Sequence, residues 1–154
     1  MKSDIQRYTF KEEAKIGFEI VELGEVYARH KAKMTVPHRA DFYHILWLEG
    51  GVKRHFVDFQ TIDLDPFVIL FVEKDAGHHF DDTEHIKGKG IVFLERFFCS
   101  SEQEIHFLHN SVCFNNFRTI SRLNVQGDCP GLKEIFNMMF EAFKAPRVAH
   151  YATY

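Results

Sequence analysis

Pro37-His38-Arg39-Ala40-Asp41-Phe42-Tyr43-His44-Ile45-Leu46-Trp47-Leu48-Glu49-Gly50-Gly51 is the stretch on which the fold turns. From Phe42 to Leu48 it is almost wholly apolar and runs into a glycine turn, which reads as a buried strand rather than a loop or a surface helix. The following segment, His55-Phe56-Val57-Asp58-Phe59, alternates, with Val57 and Phe59 sharing one face. Phe67 to Val72, framed by Asp65-Pro66 and Glu73-Lys74-Asp75, reads as another buried strand. Gly90 to Leu94 reads as a further one, after a polar hinge at Lys87-Gly88-Lys89. Upstream, Ile16, Phe18 and Ile20 alternate with Gly17 and Glu19 as a first strand with one buried face. The gaps between these segments are too short for the crossover helices of a parallel sheet, so the sheet is expected to be antiparallel.

Helical signals are expected only after this β-rich region, weakly over Ser101 to His109 and strongly from Asp128. Asp128 reads as an N-cap with Pro130 in the first turn. Leu132, Ile135, Phe136, Met139, Phe140 and Phe143 then follow the rhythm of one helix face over about four turns. Such a stripe serves either as a core face lying on the sheet or as a dimer face, and its width lets it do both. Pro146 starts a second segment. The boundary near Gln126-Gly127 divides the chain into a β domain, 1–127, and a helical dimerisation or linker segment, 128–154.

The chain has 154 residues, enough for one domain with a real core, and 45% of them are hydrophobic, with 17 Phe against a single Trp. The net charge of -3 argues against this segment gripping a phosphate backbone by itself. Three cysteines, Cys99, Cys113 and Cys129, lack C-x-x-C spacing, so neither a disulfide framework nor a zinc knuckle is expected, and a reducing cytoplasmic setting fits. No apolar run approaches the roughly 18 residues of a membrane span. No Ser-His-Asp ordering, phosphate-cradling loop or nucleophile elbow is present, and no catalytic residue is assigned. Asp81, Asp82 and Glu84 beside Lys87 and Lys89 read as a solvated hairpin tip, and His106 and His109 as surface residues. Met1 to Lys15 is either a movable arm or a frayed terminus.

The run from Pro37 to Leu46, Gly50-Gly51 and the phrase His55 to Phe59 together resemble the N-terminal domain of AraC-type bacterial transcription regulators. Phe18-Glu19-Ile20 upstream and Gly88 to Phe98 downstream, ending Glu95-Arg96-Phe97-Phe98, extend the resemblance over roughly residues 15 to 100. It implies a cupin or jelly-roll antiparallel β-barrel followed by C-terminal α-helices. It also implies a small-molecule effector such as a sugar or related metabolite, a homodimer, and DNA contact only through a helix-turn-helix domain beyond Tyr154.

Enzymatic cupins hold a metal with His-x-His-x-x-x-Glu and a later His, which fall here on His38, Ala40, His44 and His78. One histidine is therefore gone and the glutamate has become a histidine. Residues 38, 40 and 44 share a parity and are expected on one inward face. Two readings stand. In the first, His38, Phe42, His44, Leu46, His78 and Phe80 line a ligand pocket with no cofactor and no metal, or a simply filled barrel. In the second, His38, His44 and His78 hold Zn²⁺ or Fe²⁺ in an oxygenase or isomerase.

Overall fold

The computed structural model describes residues 5–10, 16–51, 54–64, 67–111, 114, 122–124 and 131–144. The expected N-cap at Asp128 with Pro130, the boundary at Gln126-Gly127, Cys113, Cys129 and the segment from Pro146 lie outside them. Among the described residues ten strands form two five-stranded sheets with a few helices, so the fold is mainly β. The strands are β1 (Gln6–Tyr8), β2 (Phe18–Glu22), β3 (His38–Ala40), β4 (Tyr43–Gly50), β5 (Arg54–Val57), β6 (Gln60–Asp63), β7 (Val68–Val72), β8 (His78–Phe80), β9 (Lys87–Phe93) and β10 (Arg122–Asn124). The helices are α1 (Leu23–Met34), α2 (Glu95–Phe98), α3 (Glu102–His109) and α4 (Leu132–Lys144).

One sheet runs β1-β3-β8-β5-β6 and the other β10-β7-β4-β9-β2. Among the described residues no strand pair joins the two, so the closure of the expected barrel is not seen. Pairing is antiparallel throughout except at β1, which lies parallel to β3. The intervening β2 and α1 supply the long connection that a parallel pair requires.

The second sheet is buried on both faces, which is why β4 reads as a continuous apolar run. Along β4, Leu46 and Leu48 point to the core shared with the first sheet, together with Val68, Leu70 and Val72 of β7 and Val57 and Phe80 opposite. Tyr43 and Trp47 of β4, Ile69 of β7 and Ile91 of β9 face the other way and meet Leu108 and Phe136 of the helices. Alternation is intact, but both registers are apolar, because each face has a partner.

Helix α1 corrects the expectation that helices follow the sheet. Leu23 and Tyr27 of α1 enter the intersheet core, and the helix packs on β9 and β2. Gly24 lets it settle there, since a Cβ would stand 2.7 Å from the Ile86 carbonyl oxygen. Tyr27 is buried; its hydroxyl meets the carbonyls of Asp81 and Thr83 at 3.0 and 3.1 Å and accepts from the Thr83 N–H at 3.0 Å.

Several strand limits differ from the expected ones. β5 stops at Val57, because Asp58 adopts φ 51° and turns the chain into β6, leaving Phe59 fully exposed at the hairpin tip. The first strand runs Phe18–Glu22, and Ile16 is exposed. β9 begins at Lys87, so the expected hinge is strand; Gly88 belongs there because a Cβ would run into the Trp47 carbonyl oxygen of β4.

Helix α3 matches its expected span, with the Ser101 hydroxyl accepting from the Glu104 N–H at 3.2 Å as its N-cap. Glu95 pins α2 and α3 to the sheet: its carboxylate meets Lys74 at 2.6 Å and His109 at 2.7 Å, and accepts from the Tyr43 hydroxyl at 3.3 Å. Of the expected stripe on α4, Phe136 is buried against Trp47 with ring centroids 5.1 Å apart. Leu132, Met139, Phe140 and Phe143 are half-buried on the same core, and Ile135 is exposed. No helix among the described residues is long and apolar enough to cross a membrane.

Candidate functional site

All six residues expected to line a pocket, His38, Phe42, His44, Leu46, His78 and Phe80, lie on the wall of one cavity of about 1150 Å³. The cavity sits between the two sheets, beneath α1 and beside the end of α4. The route by which His38 and His44 come together differs from the expected one. They do not share a strand: a bend at Asp41-Phe42 separates β3 from β4, which belong to different sheets. The rings meet across the interior, not along one strand face.

His78 is the centre of the arrangement. On β8 it stands opposite His38 of β3, with ring centroids 4.4 Å apart, and 4.8 Å from the ring of His44 on the facing sheet. A fourth imidazole, His55, completes the group. It pairs across the sheet with Phe80 and reaches diagonally to His78, its Nε2 lying 3.0 Å from Nδ1 of His78. The alternation of His55 with Val57 carried the signal that His55 points inward, and the sequence reading did not use it.

The loop before β8 is held so that His78 points inward. Asp58 donates its N–H to the Gly77 carbonyl at 2.5 Å and its carboxylate accepts from the Gly77 N–H at 3.0 Å. Asp75, at φ 64°, turns the chain just before, and Arg39 donates to its carbonyl at 2.6 Å. The tight link between the β5–β6 hairpin and Gly77 thus sets the register of both His55 and His78.

Burial decides the charge state of the cluster. Loss of water lowers the pKa of His44 and of His55 to about 3, with the neighbouring imidazoles adding to the effect. The same cause holds His78 well below its ordinary value. His38 is lowered by burial too, against a raising contribution from the Val36 carbonyl. All four are neutral near pH 7. Since a carbonyl only accepts, the 2.9 Å contact from His38 Nδ1 to the Val36 oxygen places the His38 proton on Nδ1 and leaves Nε2 an acceptor.

Three ring nitrogens of the cluster are buried without a partner: His44 Nδ1, His55 Nδ1 and His78 Nε2. Unpaired buried polar atoms are uncommon in folded proteins and ask for an explanation. The three imidazoles of the metal expectation do converge. His78 Nδ1 is engaged by His55 and His38 Nδ1 by Val36, which leaves Nε2 of each ring uncommitted by those bonds. Among the described residues, no three His, Cys, Asp or Glu side chains stand close enough together to hold a metal ion as arranged.

The remaining wall is apolar in part, polar at Tyr8, Thr9 and His30, and balanced in charge. Three carboxylates, Glu19, Glu22 and Glu25, and three cations, Arg29, Lys33 and Lys144, line its α1, β2 and α4 side. The histidine-bearing strands β3, β4 and β8 add no charged group to the lining. No protein-family model matches the chain, and no curated protein matches it in sequence.

Proposed function

We propose that this chain is the effector-binding and dimerising domain of an AraC-type transcription regulator, a cupin-like barrel that passes ligand binding to a C-terminal helix-turn-helix domain. The observation that carries the binding part is the convergence of all six expected residues on one cavity. A concave, mostly apolar space with few polar handles is the usual form of a small-ligand site. The regulator assignment rests on the resemblance of residues 15 to 100. The net charge of -3 agrees with leaving DNA contact to another domain. The dimer role falls to α4, whose Ile135 and Met138 remain exposed after Phe136 is spent on the core. In this reading the domain works in the cytoplasm without a resident cofactor. Its mechanism is linkage: an effector that favours one arrangement of cavity and α4 shifts the placement of the DNA-binding domains.

A metal-dependent cupin enzyme is the competing reading, and the arrangement of His38, His44 and His78 gives it no support. A thermal-shift screen against small metabolites tests the binding reading. A ligand at one hundred times its dissociation constant adds about 2.7 kcal/mol. The expected hit loses its effect in His44→Phe; a hit that acts equally on that variant would place the ligand elsewhere and overturn the assignment.

A further inference from the structure

We infer that the cavity takes a small zwitterion on an apolar body, an amino acid with an aromatic or branched side chain, its ammonium on Glu19 and its carboxylate on Arg29 and Lys33. This deepens the binding reading above and rests on it.

The strand registers put Glu19 on the cavity floor. Glu19 of β2 stands opposite Val92 of β9, and Val92 stands opposite His44 of β4, so the three form one row across the sheet. Directly opposed residues share a face, and the next row on that face is Val21, Gly90 and Leu46. All six line the cavity, and Glu19 is the one charged side chain in the two rows. His44 Nδ1 and His78 Nε2 are sealed from it, whereas Glu19 is only half-buried and within reach of a molecule inside. A carboxylate on an inward sheet face ordinarily finds a partner. Glu22 has Lys89 at 3.6 Å and Glu25 has Arg29 at 3.8 Å, but Glu19 has neither an ion pair nor a hydrogen bond among the described residues.

Helix α1 supplies the opposite charge from above. Arg29 and Lys33 stand about one turn apart on it, and both line the cavity. Lys33 has no ion pair among the described residues, and the contact of Arg29 with Glu25 joins two exposed side chains, which water screens. Both cations sit on long, flexible stems that swing toward a carboxylate held beside Glu19.

This wall selects by charge pattern. A lone cation meets Glu19 but also Arg29, Lys33 and Lys144, and a lone anion meets those three but also Glu19, Glu22 and Glu25. A zwitterion sets each of its charges on the opposite one, through charge-assisted hydrogen bonds. Beyond Glu19 the floor turns apolar at Val92, with Phe42, Leu46 and Phe80 on the histidine side. Two strand spacings of about 4.8 Å separate Glu19 from His44, room for a side chain the size of a benzyl group.

Isothermal titration of the wild-type chain with L-phenylalanine, phenethylamine, 3-phenylpropionate and glucose tests this, since the first three share a benzene ring and differ in charge. L-phenylalanine is expected to bind at least about tenfold tighter than each of the others. Glu19→Gln is expected to weaken L-phenylalanine and phenethylamine about tenfold and to leave 3-phenylpropionate within about twofold. Lys33→Met is expected to weaken L-phenylalanine and 3-phenylpropionate about threefold and to spare phenethylamine; it carries the test alone should Glu19→Gln fail to fold. A single-charge probe or glucose binding as tightly as L-phenylalanine, or variants that weaken every probe alike, overturns the zwitterion and leaves the cavity reading standing. Binding of none of the four also overturns the zwitterion, and the cavity reading falls with it only if the metabolite screen yields no hit.

Discussion

His55 and His78, on the adjacent strands β5 and β8, share a single proton between Nε2 and Nδ1 at 3.0 Å, inside a core where neither ring carries charge. The pair is a buried polar link whose value depends on both members being present.

His55→Leu strands Nδ1 of His78, and His78→Leu strands Nε2 of His55, so each single change is expected to cost about 1–3 kcal/mol. The double variant leaves no orphan and is expected to cost less than the two together, by about 1 kcal/mol or more. Urea unfolding of the four proteins measures this coupling. Additive costs would mean that the contact contributes nothing.

Acid is expected to unfold the domain through the same cluster. The pKa values of His44, His55 and His78 lie below their unfolded value of 6.5. Below that value the unfolded chain binds protons that the folded chain refuses, so stability is complete above pH 6.5 and falls as the pH drops toward the folded values. His44 and His55, with folded values near 3, each lose about 1 kcal/mol between pH 6.5 and 5.5 and approach about 1.4 kcal/mol per pH unit below that, and His78 adds to the loss in the same direction. Denaturation midpoints across this range check it, and a flat profile contradicts it.

Tyr27 ties α1 to the loop between β8 and β9 through the carbonyls of Asp81 and Thr83 and the Thr83 N–H. Tyr27→Phe keeps the ring and removes the hydroxyl, and is expected to cost about 1–3 kcal/mol. Its signature is a lower urea midpoint at unchanged slope.

The dimer role proposed for helix α4 is separable from its packing role. Phe136 is buried against Trp47, and Phe136→Ala is expected to cost about 3–5 kcal/mol. Met138 is exposed, and Met138→Glu is expected to change stability by less than about 0.5 kcal/mol while weakening self-association in sedimentation equilibrium. Unchanged self-association in Met138→Glu contradicts the dimer role given to this face.

The sequence carried the strands of the second sheet well, because β4 and β7 are apolar on both faces and bounded by turn residues. It also brought the pocket residues together, though partly for the wrong reason. Parity along one strand was the argument for His38 and His44, whereas a bend and the stacking of two sheets bring them face to face. Helix α1 escaped notice because Glu22 offers no side-chain cap and Gly24 in the first turn resembles a strand break. The spacing of Leu23, Val26, Tyr27 and Met34, with Ala, Lys and Arg between, was the available signal. Phe59 misled in the opposite sense: its apolar side chain suited an inward position, but the left-handed turn at Asp58 ended the strand at Val57.

The account depends above all on four uncharged imidazoles clustered between two sheets, three of which, His38, His44 and His78, line the cavity. Nitrogen NMR of the histidine rings across a pH titration measures that state directly. The rings of His44, His55 and His78 are expected to hold neutral nitrogen shifts from about pH 8 down through pH 6.5. Protonation of these rings near pH 6.5 would show that they stand in water, and that no such cavity exists.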